Sequence, residues 1–305
     1  MEEKEIFDVL IIGAGPAGLT AGIYAHRYAL KSAVIGQLIG GLASEATEIH
    51  NWPGIIAVKG YDLAQKFRES AEAVGVKILQ DKVEDIIREG NLFFLKTSYS
   101  GTLQARSVIF AAGTERRKLN VPGEKEFYGK GVCYCATCDG PLYKNKIIAV
   151  VGGGNSGVSA AIYLADLAEK VYLLSDVKEL TAEGVLCQRA LENKKIEIIK
   201  EASVKELRGQ LRLEEMVLSD GSVRKIDGIF IEIGLIPPQE IIHKSGLAVD
   251  DKGYVMIKND CSTNVEGMFA AGDVTNGSNG LRQIVTAAAA GAIAANSAQY
   301  YLKNK

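Results

Sequence analysis

The stretch Phe7-Asp8-Val9-Leu10-Ile11-Ile12-Gly13-Ala14-Gly15-Pro16-Ala17-Gly18 decides the fold class. Its apolar run predicts a buried strand, its glycines a tight turn, and the residues through Tyr28 a helix. The same unit returns as Lys146-Ile147-Ile148-Ala149-Val150-Val151, then Gly152-Gly153-Gly154-Asn155-Ser156-Gly157 and a helical stretch through Leu167. One constant offset separates Gly13 from Gly152, Gly15 from Gly154, Gly18 from Gly157 and Tyr24 from Tyr163. Each unit closes on a further apolar strand, residues 32–35 in the first and 170–174 in the second. A single glycine turn of this kind is common in α/β proteins. Two, each set between strand and helix, predict an α/β chain with two Rossmann-like dinucleotide-binding domains.

Working outward, Val108-Ile109-Phe110-Ala111-Ala112-Gly113-Thr114 reads as a buried strand ending in a small-residue turn, and the basic Glu115-Arg116-Arg117-Lys118 as a linker. The breakers Gly234-Leu235-Ile236-Pro237-Pro238 suit a return linker. Met268-Phe269-Ala270-Ala271-Gly272-Asp273-Val274 is another strand ending in a turn, and a helix of small residues is expected over about 281–301. The simplest architecture inserts the second domain into the first, with residues 1–116 and 245–305 forming one discontinuous domain and residues 117–244 the other.

The glycine loops carry a physical expectation. At a helix start, free backbone N–H groups and the positive end of the helix dipole face a pyrophosphate. The first glycine permits the turn, the second the close approach of phosphate, and the third the packing of helix on strand. Gly13, Gly15, Pro16, Ala17 and Gly18 are therefore candidates in the first domain, and Gly152, Gly154, Asn155, Ser156 and Gly157 in the second. An acid that binds a ribose is expected about 20 residues past the last glycine. In the first domain the strand ends Val34-Ile35-Gly36-Gln37 with no acid, leaving Gln37 or the backbone for that task. In the second, Asp176 stands at the expected place. Its carboxylate would accept a 2′-hydroxyl and repel a 2′-phosphate, which favours NADH over NADPH; the alternative is that Asp176 caps a following helical turn.

Gly131-Val132-Cys133-Tyr134-Cys135-Ala136-Thr137-Cys138-Asp139-Gly140 holds three of the five cysteines. Cys135 and Cys138 have the spacing that, at a helix start, brings two sulfurs within disulfide range and favours the thiolate that performs exchange. Asp139 is placed to give or take the proton that exchange requires. A zinc knuckle would need a second Cys/His pair, but Cys187 and Cys261 stand alone and His26, His50 and His243 are scattered, so no metal is expected. Cys133 reads either as a small buried apolar residue or as a third redox partner.

Of 305 residues, 47% are hydrophobic and 24% charged, and 33 are glycine, which fits a two-domain globular chain rich in nucleotide turns. The net charge of −2 gives no electrostatic reason to expect nucleic acid or an anionic membrane. The longest small-apolar run, residues 287–295, is far shorter than the roughly 20 residues that span a bilayer. The acidic start Met1-Glu2-Glu3-Lys4-Glu5 runs into a strand without a secretory pattern, and the odd cysteine count does not resemble an extracellular disulfide framework, so a cytoplasmic protein is expected.

Taken in order, residues 13–18, Asn51-Trp52-Pro53-Gly54, Ala112-Gly113-Thr114, Cys135-Ala136-Thr137-Cys138-Asp139-Gly140, residues 152–157, Gly272-Asp273-Val274 and Arg282-Gln283 resemble the low-molecular-weight thioredoxin reductases over essentially the whole chain. The resemblance implies a homodimeric flavoprotein with FAD in the first domain, its pyrophosphate on Gly13, Gly15, Ala17 and Gly18. It implies that Asn51 and Asp273 hold the isoalloxazine and ribityl end, that Gln283 contacts the ring, and that Gly41, Gly113, Gly272 and Arg282 belong to the same site. It makes Cys138 the sulfur nearest the flavin, Cys135 the one that attacks a thioredoxin- or glutaredoxin-like partner, and Asp139 the acid/base, with the two domains rotating relative to each other. Where typical members carry His-Arg-Arg and a further Arg that clamp the 2′-phosphate, this chain has Ser175-Asp176-Val177 and Thr181. Each lost charge-assisted bond is worth roughly 1.5–3 kcal/mol, so NADH is expected to outcompete NADPH. At Gly40-Gly41-Leu42 a glutamine that often follows the glycine pair is replaced. Other donors (reduced deazaflavin or ferredoxin), a dithiol oxidase using oxygen, and a flavin-binding redox sensor are the competing readings.

Overall fold

The structure is a computed structural model that describes residues 5–46 and 49–305. Met1-Glu2-Glu3-Lys4, on which the expectation about a secretory pattern partly rests, lies outside the described residues. The chain divides into two compact units, Met1–Glu115 with Ile236–Lys305, and Arg116–Leu235. The second is thus inserted into the first.

In the first unit the strand Ile6–Ile12 lies between Ser32–Ile35 and Thr102–Phe110, parallel to both, with Lys77–Leu79 outside Ser32–Ile35. Ile12 stands level with Ile35 on one side and Phe110 on the other. The carboxyl ends of these strands therefore open on one edge of the sheet, where nucleotides bind in such folds. The first half of Thr102–Phe110 pairs antiparallel with Leu92–Thr97, which pairs with Val83–Glu89; its last residues pair with Met268–Ala270 in parallel. The strand Ile6–Ile12 serves two cores: Val9 and Ile11 join one, shared with the helices Pro16–Arg27 and Ile284–Lys303, and Phe7, Leu10 and Ile12 join the other.

The second unit repeats this plan on a smaller scale. Ile147–Val151 lies between Lys170–Leu174 and Gly228–Ile231, all parallel, with Ile196–Ile199 and Val132–Cys133 at the two edges. Val204–Gly209, Leu213–Leu218 and Val223–Lys225 add a separate antiparallel sheet. The helix Asn155–Leu167 follows the glycine turn as the sequence predicts.

Two expectations shift. Residues 236–244, expected with the second domain, belong with the first, because the helix Gln239–Lys244 buries Ile242 in the core that contains Leu10, Phe110 and Val255. The last helix starts at Ile284 rather than 281, because Gln283 is extended and forms a capping box with Thr286. Among the described residues no helix is long and apolar enough to cross a membrane.

The repeat extends to single atoms. A Cβ on Gly18 would stand 1.8 Å from the carbonyl oxygen of Gly13, and one on Gly157 would stand 2.0 Å from that of Gly152. Replacing either by alanine is expected to cost roughly 1–3 kcal/mol by overpacking. Thermal unfolding of Gly18→Ala and Gly157→Ala checks this; wild-type melting of both variants would show that helix and strand do not pack so closely.

Candidate active site

A cavity of about 530 Å³ in the first unit collects most of the residues singled out there. Gly13, Gly15, Pro16, Ala17, Gly41, Gly113, Gly272, Asp273, Arg282 and Gln283 all line it. Gly18 lies beneath, holding the helix against the turn. Gly15 is the N-cap of Pro16–Arg27 and makes no side-chain cap, so the first-turn N–H groups are directed to the cavity. A Cβ on Gly15 would come no nearer to a neighbour than 3.8 Å, from Gly41 Cα, so this glycine keeps space open rather than fitting a packed neighbour. Asn51 joins the site through its Nδ2, which donates to Gln283 Oε1 at 2.8 Å.

Charge in this cavity is arranged around the start of the last helix. Burial raises the pKa of the Asp273 carboxyl, with the Arg282 guanidinium pulling it back down. Arg282 Nε donates to the Asp273 carbonyl at 3.4 Å, and its guanidinium stacks 3.7 Å above the Tyr254 ring. The buried hydroxyl of Thr114, which lines the same cavity, has no hydrogen-bond partner among the described residues. Such a group calls for a polar ligand. Thr114 was not among the site residues expected from sequence, although its place after Ala112-Gly113 was the available signal. Gln37 also lines the cavity, its carbonyl accepting from Gln80 Nε2 at 3.3 Å.

The second glycine loop has matching geometry. Gly154 is the N-cap of Asn155–Leu167, again without a side-chain cap, and a Cβ on it would meet nothing closer than Thr181 Oγ1 at 3.7 Å. Asn155 and Ser156 are exposed on the first turn, and Gly157 is buried beneath it. Asn155 Oδ1 accepts from the Glu183 N–H at 2.8 Å, and the Thr181 N–H donates to the Gly153 carbonyl at 2.8 Å, so residues 181–183 are tied to the loop. Asp176 is exposed just past the strand Lys170–Leu174. The bend at 176–179 is not helical, and the next helix begins at Gly184 with Glu183 as N-cap, so Asp176 is not its cap.

Cys135 and Cys138 form a disulfide, with Cα atoms 5.3 Å apart. Cys135 is the N-cap of the short helix Ala136–Asp139, its sulfur accepting from the Cys138 N–H at 3.2 Å. The helix sits close to Asn155–Leu167 because Gly140 leaves no Cβ to clash with Leu164 and Tyr163. Asp139 is half-buried at the helix end, its N–H bonded to the Cys135 carbonyl at 3.1 Å. Cys138 is exposed and Cys135 half-buried, so exposure alone does not single out Cys135 as the attacking sulfur.

The remaining thiols are held in a different state. Burial pushes Cys133 up to about 11, offset in part by its hydrogen bond with Tyr143, with Asp139 adding to the rise. Burial likewise pushes Cys261 up to about 11. A thiol at 5% exposure that stays protonated is a poor nucleophile, which favours the packing role for Cys133. Sequence reasoning passed over Glu124, buried ten residues before Tyr134 and bonded to its hydroxyl; no periodicity marks that pair.

Comparison with known proteins agrees with this geometry. Residues 7–291 match the family model described as pyridine nucleotide-disulphide oxidoreductase. A thioredoxin reductase of Bacillus subtilis (strain 168) is 39% identical, the match covering 99% of this chain and 97% of that protein. The crystal structure of Lactococcus lactis thioredoxin reductase superposes with a TM-score of 0.88 at 34% identity, covering 98% of this chain and all of that one. A ferredoxin-flavin thioredoxin reductase from Clostridium acetobutylicum gives 0.56 at 32% identity, covering 98% of each chain. Matched over almost its whole length by such enzymes, the chain belongs to the pyridine nucleotide-disulphide oxidoreductase family and is an oxidoreductase similar to thioredoxin reductases.

Proposed function

We propose that the chain reduces the disulfide of a thioredoxin-like protein, drawing electrons from NADH through FAD. The observation that carries this reading is the Cys135–Cys138 disulfide, formed within a chain that holds two open glycine cradles. The cavity of the first unit suits FAD: the Gly13, Gly15 and Ala17 turn for pyrophosphate, Gly41, Gly113 and Gly272 for close approach, and Thr114, Asp273, Arg282, Gln283 and Asn51 for polar contacts. Bound there, FAD supplies two-electron transfer between a nicotinamide and a disulfide. The N–H groups at Gly154, Asn155, Ser156 and Gly157 suit the nicotinamide dinucleotide, and Asp176 its ribose 2′-hydroxyl. The protein would act as a homodimer in the cytoplasm.

Two electrons and two protons open the Cys135–Cys138 bond to two thiols. The Cys135 thiolate attacks one sulfur of the partner's disulfide, whose S–S bond breaks as the mixed disulfide forms. The proton that Cys135 gives up passes to the leaving thiolate, and Asp139, the nearest carboxylate in sequence, is placed to relay it. Cys138 then displaces the partner, restoring the Cys135–Cys138 bond and releasing the partner as a dithiol. A ferredoxin-fed version of this cycle has one observation in its favour: a similar structure carries ferredoxin in its name.

Anaerobic stopped-flow mixing distinguishes the donors. NADH is expected to bleach the flavin at least tenfold faster than NADPH at equal concentration, and Asp176→Ala to narrow that ratio by about tenfold. A flavin left oxidised by both nucleotides would contradict the nicotinamide path. For the exchange step, Cys138→Ser is expected to trap a mixed disulfide with oxidised thioredoxin through Cys135, seen as a shifted band on non-reducing gels. If Cys135→Ser traps the complex and Cys138→Ser does not, the two sulfurs have opposite roles.

A further inference from the structure

Among the described residues that line the cavity of the first unit, Arg282 is the one cation, and the other charged groups there are the carboxylates of Asp273 and Glu115. Of the donors on its half-buried guanidinium, only the Nε N–H is engaged, on the Asp273 carbonyl at 3.4 Å. The Nη1 and Nη2 groups have no hydrogen-bond partner among the described residues. The guanidinium is held all the same, because its central carbon stacks 3.7 Å from the centre of the Tyr254 ring. Stacking uses the face of a guanidinium and hydrogen bonding uses its edge, so the ring fixes Arg282 and leaves its donors free for a ligand. Tyr254 is itself fixed. Asp250 Oδ1 accepts from the Tyr254 N–H, and the Asp250 N–H donates to the Tyr254 carbonyl, each at 2.9 Å. The next residue, Val255, is buried and donates its N–H at 2.9 Å to the carbonyl of Val274, the neighbour of Asp273. Ring, guanidinium and Asp273 are thus carried on one framework.

We propose that Tyr254 is a positioning residue, holding Arg282 as the counter-charge for the pyrophosphate of the dinucleotide bound in this cavity. This rests on the reading of the cavity as an FAD site. A Cβ on Gly272 would stand 2.9 Å from the Ala17 Cβ, so the chain leading into Asp273 lies on the first turn of the helix Pro16–Arg27. That turn directs its N–H groups to the cavity, and Arg282 reaches the same end through its bond to the Asp273 carbonyl. A pyrophosphate brings further negative charge to a cavity that already holds two carboxylates, which repel it unless a cation stands between. A guanidinium meets that need, since its paired N–H groups match phosphate oxygens. Tyr254 is not among the residues that line the cavity, so it acts on a ligand through Arg282. A free arginine gives up rotamer freedom on binding, whereas one already stacked has given it up beforehand. The ring therefore strengthens binding by preorganisation.

The test measures the Kd for FAD, read from flavin fluorescence as the FAD-loaded full chain is diluted. Tyr254→Leu is expected to raise Kd about tenfold, the scale of a desolvated cation–π contact. Tyr254→Phe, which keeps the ring, is expected to stay within about twofold of wild type. Arg282→Gln is expected to raise Kd at least about tenfold, and adding Tyr254→Leu to it to change Kd by less than about twofold, because the ring acts only through the cation. A ring that only packs would make the two losses multiply, and that result overturns the proposal, as does wild-type affinity in Tyr254→Leu. Tyr254→Met fills the same place without an aromatic face and carries the same expectation should the leucine variant not fold. A wild-type chain that binds no FAD would instead contradict the reading of the cavity beneath the proposal.

Discussion

At each of its two strand-to-helix turns the chain presses one glycine onto the carbonyl oxygen of another, Gly18 on Gly13 and Gly157 on Gly152. That contact sets the helix against the sheet and aims the first-turn N–H groups outward. The carbonyls beneath are matched as well. A Cβ on Gly13 would meet Ala111 O at 2.1 Å, and one on Gly152 would meet Glu232 O at 2.2 Å. Each turn is thus wedged between its own helix and the neighbouring strand end, while Gly15 and Gly154 face open space. Two open turns follow from one packing rule used twice.

The cysteines divide along the same logic of burial and charge. Cys133 and Cys261 are buried, and desolvation holds them protonated. The pair that exchanges electrons instead stands at the start of a short helix with one sulfur exposed. A sulfur there is within reach of other proteins, and its thiolate, once formed, is stabilised by nearby N–H groups. What sets Cys135 apart from Cys133 is its surroundings, since both lie in one ten-residue stretch.

Much of this was legible in residue order because strand, glycine turn and helix are local and periodic. Ser32–Ile35 and Lys170–Leu174 fall where the apolar runs placed them, and Asn155–Leu167 ends at the expected residue. The start of the last helix was misjudged because glutamine is an unusual N-cap; Gln283 takes that place, and Arg282 and Gln283 consequently line the cavity. The breakers at 234–238 lie at the observed return to the first unit, but the expected domain runs on to 244, because no local signal shows that Ile242 joins a core built from distant strands. The antiparallel sheet of residues 204–225 lacked a strong apolar run and went unread. Glu124 and Tyr134 meet only through the folded loop between them, a contact that no spacing rule encodes.

The account turns on electrons reaching Cys135 and Cys138 from a cofactor held by the same chain. The most direct measurement is a thiol count on protein unfolded in acid-quenched guanidinium, before and after anaerobic reduction by NADH. Oxidised protein should show the three thiols Cys133, Cys187 and Cys261, and reduced protein all five cysteines. A count that stays at three while the flavin is fully reduced would contradict the account.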